Sequence, residues 1–364
     1  MIAIVGSGLA GFSAFLTLCR GGVASERIVV FGLEDDPAAA WRRRAAAIRQ
    51  RTMRSESAGH CGPSSFPGLA VRESIRARTL RPVVETLFDR FHPSVESFLA
   101  HVREQRERSA WDARVQQACI RRIRAVPGGL ELDGHGVFRH VLVAPGHPGL
   151  HVPSELRDDP RTVHAYEPHG YAPSVTVVGA GLAAATEWLN ALEAGAEVVS
   201  VRRREPVRRP LNVQRRYFSK RGLAGFHRLG REQRAAAIRS LLAPSYPPGR
   251  AFDEPLAAAS AEGRFRVAPS VNGTEQVICA TGFARGFRHD PLLGSLVDEH
   301  GLETAGDWIV LGADSSVPSL TDGARTLALA GVPAQWAFPA ADTLVGAKYA
   351  AHGFLRRVRA CRTR

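Results

Sequence analysis

A chain of 364 residues, 45% apolar and 23% charged, is long enough for two ordinary domains and has the balance of a globular protein. No run approaches eighteen consecutive apolar residues, which argues against a membrane span; an apolar segment starting at Ile2 leads us to expect no signal peptide and a cytoplasmic protein. The net charge of +13 is carried almost wholly by arginine, because Lys220 and Lys348 are the only lysines; the arginines are scattered and form no nucleic-acid module, so neither nucleic acid nor membrane is expected as a partner. The cysteines Cys19, Cys61, Cys119, Cys279 and Cys361 lie far apart without a Cys-x-x-Cys pair, against a dithiol redox centre and against a bound metal.

In chain order, the apolar run Ile2-Ala3-Ile4-Val5 leads directly into Gly6-Ser7-Gly8-Leu9-Ala10-Gly11, a G-x-G-x-x-G between a buried strand and a helix. Phe12, Phe15, Leu16 and Cys19 then recur at helical spacing. Gly6 is read as the tight turn, Gly8 as the close approach to a pyrophosphate and Gly11 as the helix–strand contact. The next strand, Arg27-Ile28-Val29-Val30-Phe31, ends at Gly32 where a ribose-binding carboxylate is usual, so the acid is sought just beyond, at Glu34. Trp41 follows as a further cofactor-binding candidate.

Residues 50 to 75 are irregular and rich in Gly, Pro and Ser, as loops that line a site often are; Arg54 and His60 are the candidates there for the reaction centre. Residues 72 to 110 read as helical, with Val83, Val84, Leu87, Phe88 and Phe91 as one apolar set. Strands and turns follow from Ile123, and an apolar strand ends in Ala144-Pro145-Gly146.

The strand–glycine–helix pattern then returns. Ser174-Val175-Thr176-Val177-Val178 enters Gly179-Ala180-Gly181-Leu182-Ala183-Ala184, where Ala184 is an accepted variant of the third glycine. Its following strand, residues 197 to 201, ends in Arg202-Arg203-Arg204, guanidinium where an NAD site places a carboxylate; Arg202 and Arg203 therefore point to the 2′-phosphate of NADPH. A second apolar strand ends in Ala280-Thr281-Gly282, one unit downstream of its fingerprint as Ala144-Pro145-Gly146 is of the first. Between them, residues 211 to 249 read as a helical insertion, a lid or a rim packing piece, with Tyr217, Lys220 and His227 at the outer entrance. Residues 308 to 311 form a strand before Gly312-Ala313-Asp314, and a helix through Leu344, Ala347, Ala351, Phe354, Leu355 and Val358 closes the chain.

These two fingerprints, the two Ala-x-Gly strand ends and the closing Gly312-Ala313-Asp314 resemble the flavoprotein family with two dinucleotide-binding domains, over nearly the whole chain. Pro148-Gly149 and Val163-His164-Ala165-Tyr166 are similar to segments of the single-component monooxygenases, nearest the lysine and ornithine N-hydroxylase-like branch. The resemblance implies an α/β protein of two Rossmann-like domains, an FAD domain of residues 1–150 and 303–364 into which an NADPH domain of residues 151–302 is inserted. It implies FAD and NADPH as cofactors, with Asp314 and the strand ends among their contacts. It further implies hydride transfer to flavin, oxygen uptake at C4a and oxidation of a small amine, sulfide or carbonyl by the peroxyflavin. A flavin oxidoreductase without oxygen insertion and a degenerate flavoprotein acting as a binding or scaffold protein stay open, as does a homo-oligomer.

Overall fold

Ile2–Val5 is buried along its whole length, as a central strand covered by helices on both faces must be. Ile28–Gly32 pairs in parallel on one side (Ile2 opposite Ile28) and His140–Val143 on the other (Ile2 opposite His140). Val115–Gln117 and Thr326–Leu329 add the two edges, giving one parallel sheet of five strands. The second sheet repeats this plan: Ser174–Val178 lies at its centre between Glu197–Val201 and Gln276–Cys279, with Phe265–Ala268 and Thr162–His164 at the edges, all parallel. The computed structural model describes residues 1–55, 68–271 and 273–361, so the expectations for His60 and Cys61 lie outside the described residues.

The helices are α1 (Leu9–Arg20), α2 (Ala39–Ala47), α3 (Leu69–Ala77), α4 (Arg81–Leu87), α5 (Val95–Glu107), α6 (Leu182–Glu193), α7 (Lys220–His227), α8 (Arg231–Leu241), α9 (Arg250–Ala261), α10 (Pro291–His300) and α11 (Leu344–Ala360). Both sides of α1 are covered, by the first sheet and by α11, so residues between its apolar positions, Ser13 and Thr17, are buried as well; the Thr17 hydroxyl is satisfied by donating to the Ser13 carbonyl at 2.7 Å. Ile123–Val126, Gly129–Leu132 and Val137–Phe138 form a small antiparallel sheet turned at Asp133-Gly134, as the turn residues suggest. Among the described residues no helix is long and apolar enough to cross a membrane.

Three expectations are corrected. Residues Trp308–Ile309 do not join the first sheet; they make a hairpin with Thr304–Ala305, and the closing strand is Thr326–Leu329. Val84, Leu87 and Phe88 are exposed on α4 rather than in a core, because α4 is held through its polar side: the Arg215 guanidinium donates to the Thr86 and Leu87 carbonyls and pairs with Asp89. Within the 211–249 piece, Tyr217 and His227 are engaged in packing rather than set at an outer entrance. Tyr217, Leu223, Phe226 and Ile238 join the core of the first unit, Arg234 lies over the rings of Phe226 (5.3 Å) and Trp336 (5.1 Å), and His227 Nε2 donates to the Ala337 carbonyl at 2.7 Å.

The second unit is tied to α2 through buried polar groups. Asn190 Nδ2 donates to the Ile48 carbonyl at 2.8 Å, and the buried Glu187 carboxylate accepts from Tyr171 Oη (2.8 Å) and His169 Nε2 (3.1 Å). His169 Nδ1 faces the Glu167 carbonyl at 2.7 Å, so both ring nitrogens meet acceptors and the imidazolium satisfies both. Burial opposes that charge, but the Glu187 and Glu167 oxygens outweigh it and raise the His169 pKa. A group with a raised folded pKa stabilises fully below its unfolded value of about 6.5 and loses that contribution as pH rises through the folded value. We expect the melting temperature to fall from pH 6 to pH 9, and His169→Gln to flatten this dependence; an unchanged slope in the variant would remove His169 as its source.

Candidate functional site

Gly6 has φ +117°, and a Cβ there would stand 2.1 Å from the Ala144 carbonyl oxygen; a Cβ at Gly11 would stand 1.9 Å from the carbonyl of Gly6. Strand, turn and helix are thus locked at the closest approach that glycine permits. Gly8 differs: nothing lies within 4 Å of the Cβ position, and as N-cap of α1 it offers no side-chain acceptor to the helix's first N–H groups, where no acidic residue stands either. An uncapped helix end facing open space fits a dinucleotide pyrophosphate. A cavity of about 960 Å³ opens at this turn, and Gly6, Ser7, Gly8, Leu9, Ala10, Ala144, Pro145 and Gly146 line that end of it, with Gly11 buried behind.

At one side the cavity runs past Gly32, Glu34 and Trp41. A Cβ at Gly32 would collide with Ser7 Oγ at 2.1 Å, which explains why the carboxylate is found beyond the strand, on Glu34. Arg43 donates two hydrogen bonds to Glu34 (2.5 and 2.7 Å) and holds its carboxyl below the usual range, so an anionic acceptor faces this end of the cavity. Buried Trp111 supports the segment, donating its indole N–H to the Asp35 carbonyl at 2.7 Å.

The lining also includes Arg54, the closing helix's Leu344 and Ala347, and residues that sequence reading missed: Gly331, which lies against Ala10 of the first glycine turn, Val332, Asp342 and Thr343. The signal for the first two was present, since Leu327-Ala328-Leu329-Ala330-Gly331 is another apolar strand ending in glycine. Asp314, the expected closing contact, does not line the cavity. Its carboxylate accepts from Ser316 Oγ at 2.6 Å and from Arg357 Nε at 2.5 Å and ties the loop to α11. Asp342 is exposed on the cavity surface, and the protein packed around it raises its carboxyl above the ordinary aspartate range, against the pull of Arg285 and Arg209.

The second turn repeats the first. Gly179 has φ +141°, and its Cβ would stand 2.4 Å from the Ala280 carbonyl, the counterpart of Gly6 against Ala144. Gly181 caps α6 without a side-chain acceptor and with open space at its Cβ, while Ala184 is buried in the Gly11 position. Leu182 from this turn lines the large cavity. Thr281 Oγ1 donates to the His151 carbonyl, and the Gly282 carbonyl accepts from His164 Nε2 at 3.0 Å; the Tyr166 N–H donates to His164 Nδ1 at 3.1 Å, which fixes that tautomer. Of the arginines, Arg202 is held by Glu205 at 2.9 Å and lies over Trp188, whereas Arg203 is exposed.

The two strand ends meet each other. His147, after Gly146, stacks on Phe283, after Gly282, at 4.0 Å; Phe283 stacks in turn on Tyr166 at 4.9 Å, and Arg44 of α2 lies 4.7 Å from its ring centre. Burial, with Arg44 and Arg285 nearby, pushes the His147 imidazole down to about 3, so it is neutral where it lines the cavity.

Two parallel sheets, each with a glycine turn locked against its own Ala-x-Gly strand end, define the two-unit dinucleotide-binding fold of flavoproteins. The chain is similar over 98% of its length to 99% of ornithine hydroxylase PvdA of Pseudomonas aeruginosa (16% identity, TM-score 0.69). It is similar over 98% of both chains to the Kutzneria sp. 744 ornithine N-hydroxylase KtzI, in a form with reduced FAD, NADP+ and L-ornithine (15% identity, TM-score 0.73). The bacillithiol disulfide reductase Bdr (YpdA) of Bacillus cereus shares the fold over the whole chain and 99% of its own (14% identity, TM-score 0.60). No family model and no curated protein sequence matches.

Proposed function

We propose that this protein is an NADPH-dependent FAD monooxygenase that oxidises a small-molecule amine, sulfide or carbonyl in the cytoplasm. The observation that carries the reading is one large cavity that starts at an uncapped helix N-terminus, runs along the first sheet's strand ends and includes Leu182 of the second glycine turn. That arrangement suits FAD at Gly6 to Gly11 and Glu34, with NADPH reaching it from Gly179 to Leu182. PvdA and KtzI are ornithine hydroxylases, and KtzI is seen with reduced FAD, NADP+ and L-ornithine, which supports the same assignment. Strand membership supports an FAD domain of residues 1–150 and 303–364 and an NADPH domain of residues 151–302.

When bound, the flavin supplies hydride acceptance and oxygen activation. This chain's residues position it and keep water away: Leu344, Ala347 and Val332 present apolar surface, and His147 a neutral imidazole. The second reading is a reductase without oxygen insertion, as in the disulfide reductase neighbour. Against a dithiol relay, Cys19, Cys119, Cys279 and Cys361 are all free, and among the described residues Cys119 is the one thiol that lines the cavity. Purified protein is expected to be yellow with FAD. Rapid mixing of the NADPH-reduced protein with oxygen should give a spectral species that persists alone and decays when a substrate is added. Immediate reoxidation would favour the reductase, and no reduction by NADPH would favour a binding protein.

Arg203, exposed beyond the end of the second unit's strand, is proposed to pair with the 2′-phosphate, with Arg202 held behind it by Glu205. Arg203→Glu should raise the KM for NADPH by about 10- to 100-fold, the worth of a charge-assisted contact, and leave the KM for NADH nearly unchanged. Equal effects on both coenzymes would count against it.

A further inference from the structure

Arg54 and Asp342 both line the cavity, and Asp342 is pulled electrostatically by Arg285 and Arg209. Among the described residues Arg54 has no carboxylate partner. Its Nη2 donates to the Ser245 carbonyl and lies 3.2 Å from Ser245 Oγ, while its Nε and Nη1 are buried with no hydrogen-bond partner among the described residues. Other carboxylates that line the cavity are already engaged: Glu34 by Arg43, Asp36 by Arg42, and Asp290 as the N-cap acceptor for Leu293 N–H at 3.0 Å. A buried guanidinium with two unsatisfied donors costs free energy unless a ligand supplies the acceptor.

Arg209 fixes where that acceptor lies. Its Nε donates to Ser245 Oγ at 3.1 Å and its Nη2 to the Leu241 carbonyl at 2.8 Å, so Ser245 carries both guanidiniums. Ser245 belongs to the strand Ser245–Tyr246, which pairs with Val207–Arg208 after the second sheet's central strands, not to either glycine turn. The phosphates of the two dinucleotides have their own uncapped helix ends at Gly8 and Gly181. Arg54 is thus left for a third molecule.

The geometry points to an oxyanion subsite for the substrate: Arg54, anchored on Ser245 beside Arg209, receives a carboxylate or phosphate group of the molecule to be oxidised. This rests on the monooxygenase reading only for calling the ligand a substrate; the anion site itself stands on the side chains. Burial and the neighbouring Arg209 lower the Arg54 pKa to about 10, which leaves it cationic at neutral pH. The unpartnered guanidinium N–H groups offer an oxyanion fixed donors and a charge that persists at neutral pH.

The test uses FAD-loaded protein and matched probes: 3-(methylthio)propanoate against 3-(methylthio)propanamide, 6-aminohexanoate against 6-aminohexanamide, and inorganic phosphate. Binding is read from the flavin difference spectrum and from thermal shift, neither of which needs turnover. In the wild type each carboxylate should bind about 10- to 100-fold more tightly than its amide. Arg54→Gln should erase that ratio and Arg54→Lys should restore part of it, with the FAD content and the KM for NADPH unchanged. Competition of inorganic phosphate with the carboxylate at this site would support a subsite that also takes a phosphorylated substrate, and no competition by phosphate would support one confined to carboxylates. Equal binding of acid and amide to the wild type overturns the proposal whatever the variants do. Loss of FAD or of NADPH affinity in Arg54→Gln would overturn it too, by giving Arg54 to a cofactor. Anion binding that persists while no oxidation occurs leaves the subsite standing and sinks the monooxygenase reading instead.

Discussion

Gly6→Ala is expected to yield colourless, largely insoluble protein, whereas Gly8→Ala should fold and bind FAD weakly. The contrast follows from the space at each position. At Gly6 an added methyl meets the Ala144 carbonyl oxygen at 2.1 Å, a backbone atom held by Ala144 N–H donating to Val5 at 2.6 Å, and φ +117° is itself strained for any L side chain. Neither the central strand nor its neighbour can retreat without losing ladder bonds, so several kcal/mol are at stake in a protein whose whole stability is about 5–15 kcal/mol. At Gly8 the methyl projects into open space, so the fold is untouched and only the approach of the pyrophosphate suffers. Gly179→Ala, with the Ala280 carbonyl at 2.4 Å, should damage the second unit in the same way. Circular dichroism and FAD content of the variants decide the matter. Full flavin occupancy in Gly6→Ala would refute the role assigned to this turn, and a Gly8→Ala protein with wild-type FAD affinity would place the pyrophosphate elsewhere.

These glycines also explain what could be read from the sequence. A strand that must turn sharply and let a helix end approach a phosphate has few residue choices, so both units were visible from Gly6 to Gly11 and from Gly179 to Ala184. The paired strand ends were visible too, as apolar strands that run into Ala-x-Gly, and Gly6 and Gly179 pack against the backbone carbonyls of Ala144 and Ala280. Elements defined by long-range packing were not. Val115–Gln117 is a short, mostly exposed edge strand without alternation, and its pairing with Val30 to Gly32 is set by the sheet rather than by its own residues. Asp314 reads as a site residue because Gly-x-Asp turns often are, but its oxygens face Ser316 and Arg357, which no local pattern announces. The helical stripe of Val84, Leu87 and Phe88 has a core's periodicity and lies at the surface, since periodicity gives a face and not what covers it. The same limit applied to Arg54: its loop suggested a site, and only the fold revealed Ser245 and Arg209 beside it.

Trp111→Ala should be the most destabilising of single side-chain truncations near the adenosine end, by about 3–5 kcal/mol, as for large aromatic-to-alanine changes in cores. The indole is fully buried and stands edge-on to Phe12 (5.0 Å, 81°) and Phe15 (5.4 Å, 75°), the residues that open the apolar face of α1. Its removal leaves a void under the helix whose first turn is proposed to hold the pyrophosphate, and strips the Asp35 carbonyl of its 2.7 Å donor. Trp111→Phe separates the two losses. The ring contacts with α1 are largely kept, while the Asp35 carbonyl is left without its partner, at about 1–3 kcal/mol. Because Asp35 directly follows Glu34 in the segment beside the cavity, the phenylalanine variant should weaken FAD binding more than its modest loss of stability implies. Urea denaturation of each variant with and without saturating FAD measures both quantities. If Trp111→Phe loses stability and FAD affinity in the same proportion as Trp111→Ala, the Asp35 hydrogen bond contributes nothing specific to the site, and packing against α1 accounts for the whole effect.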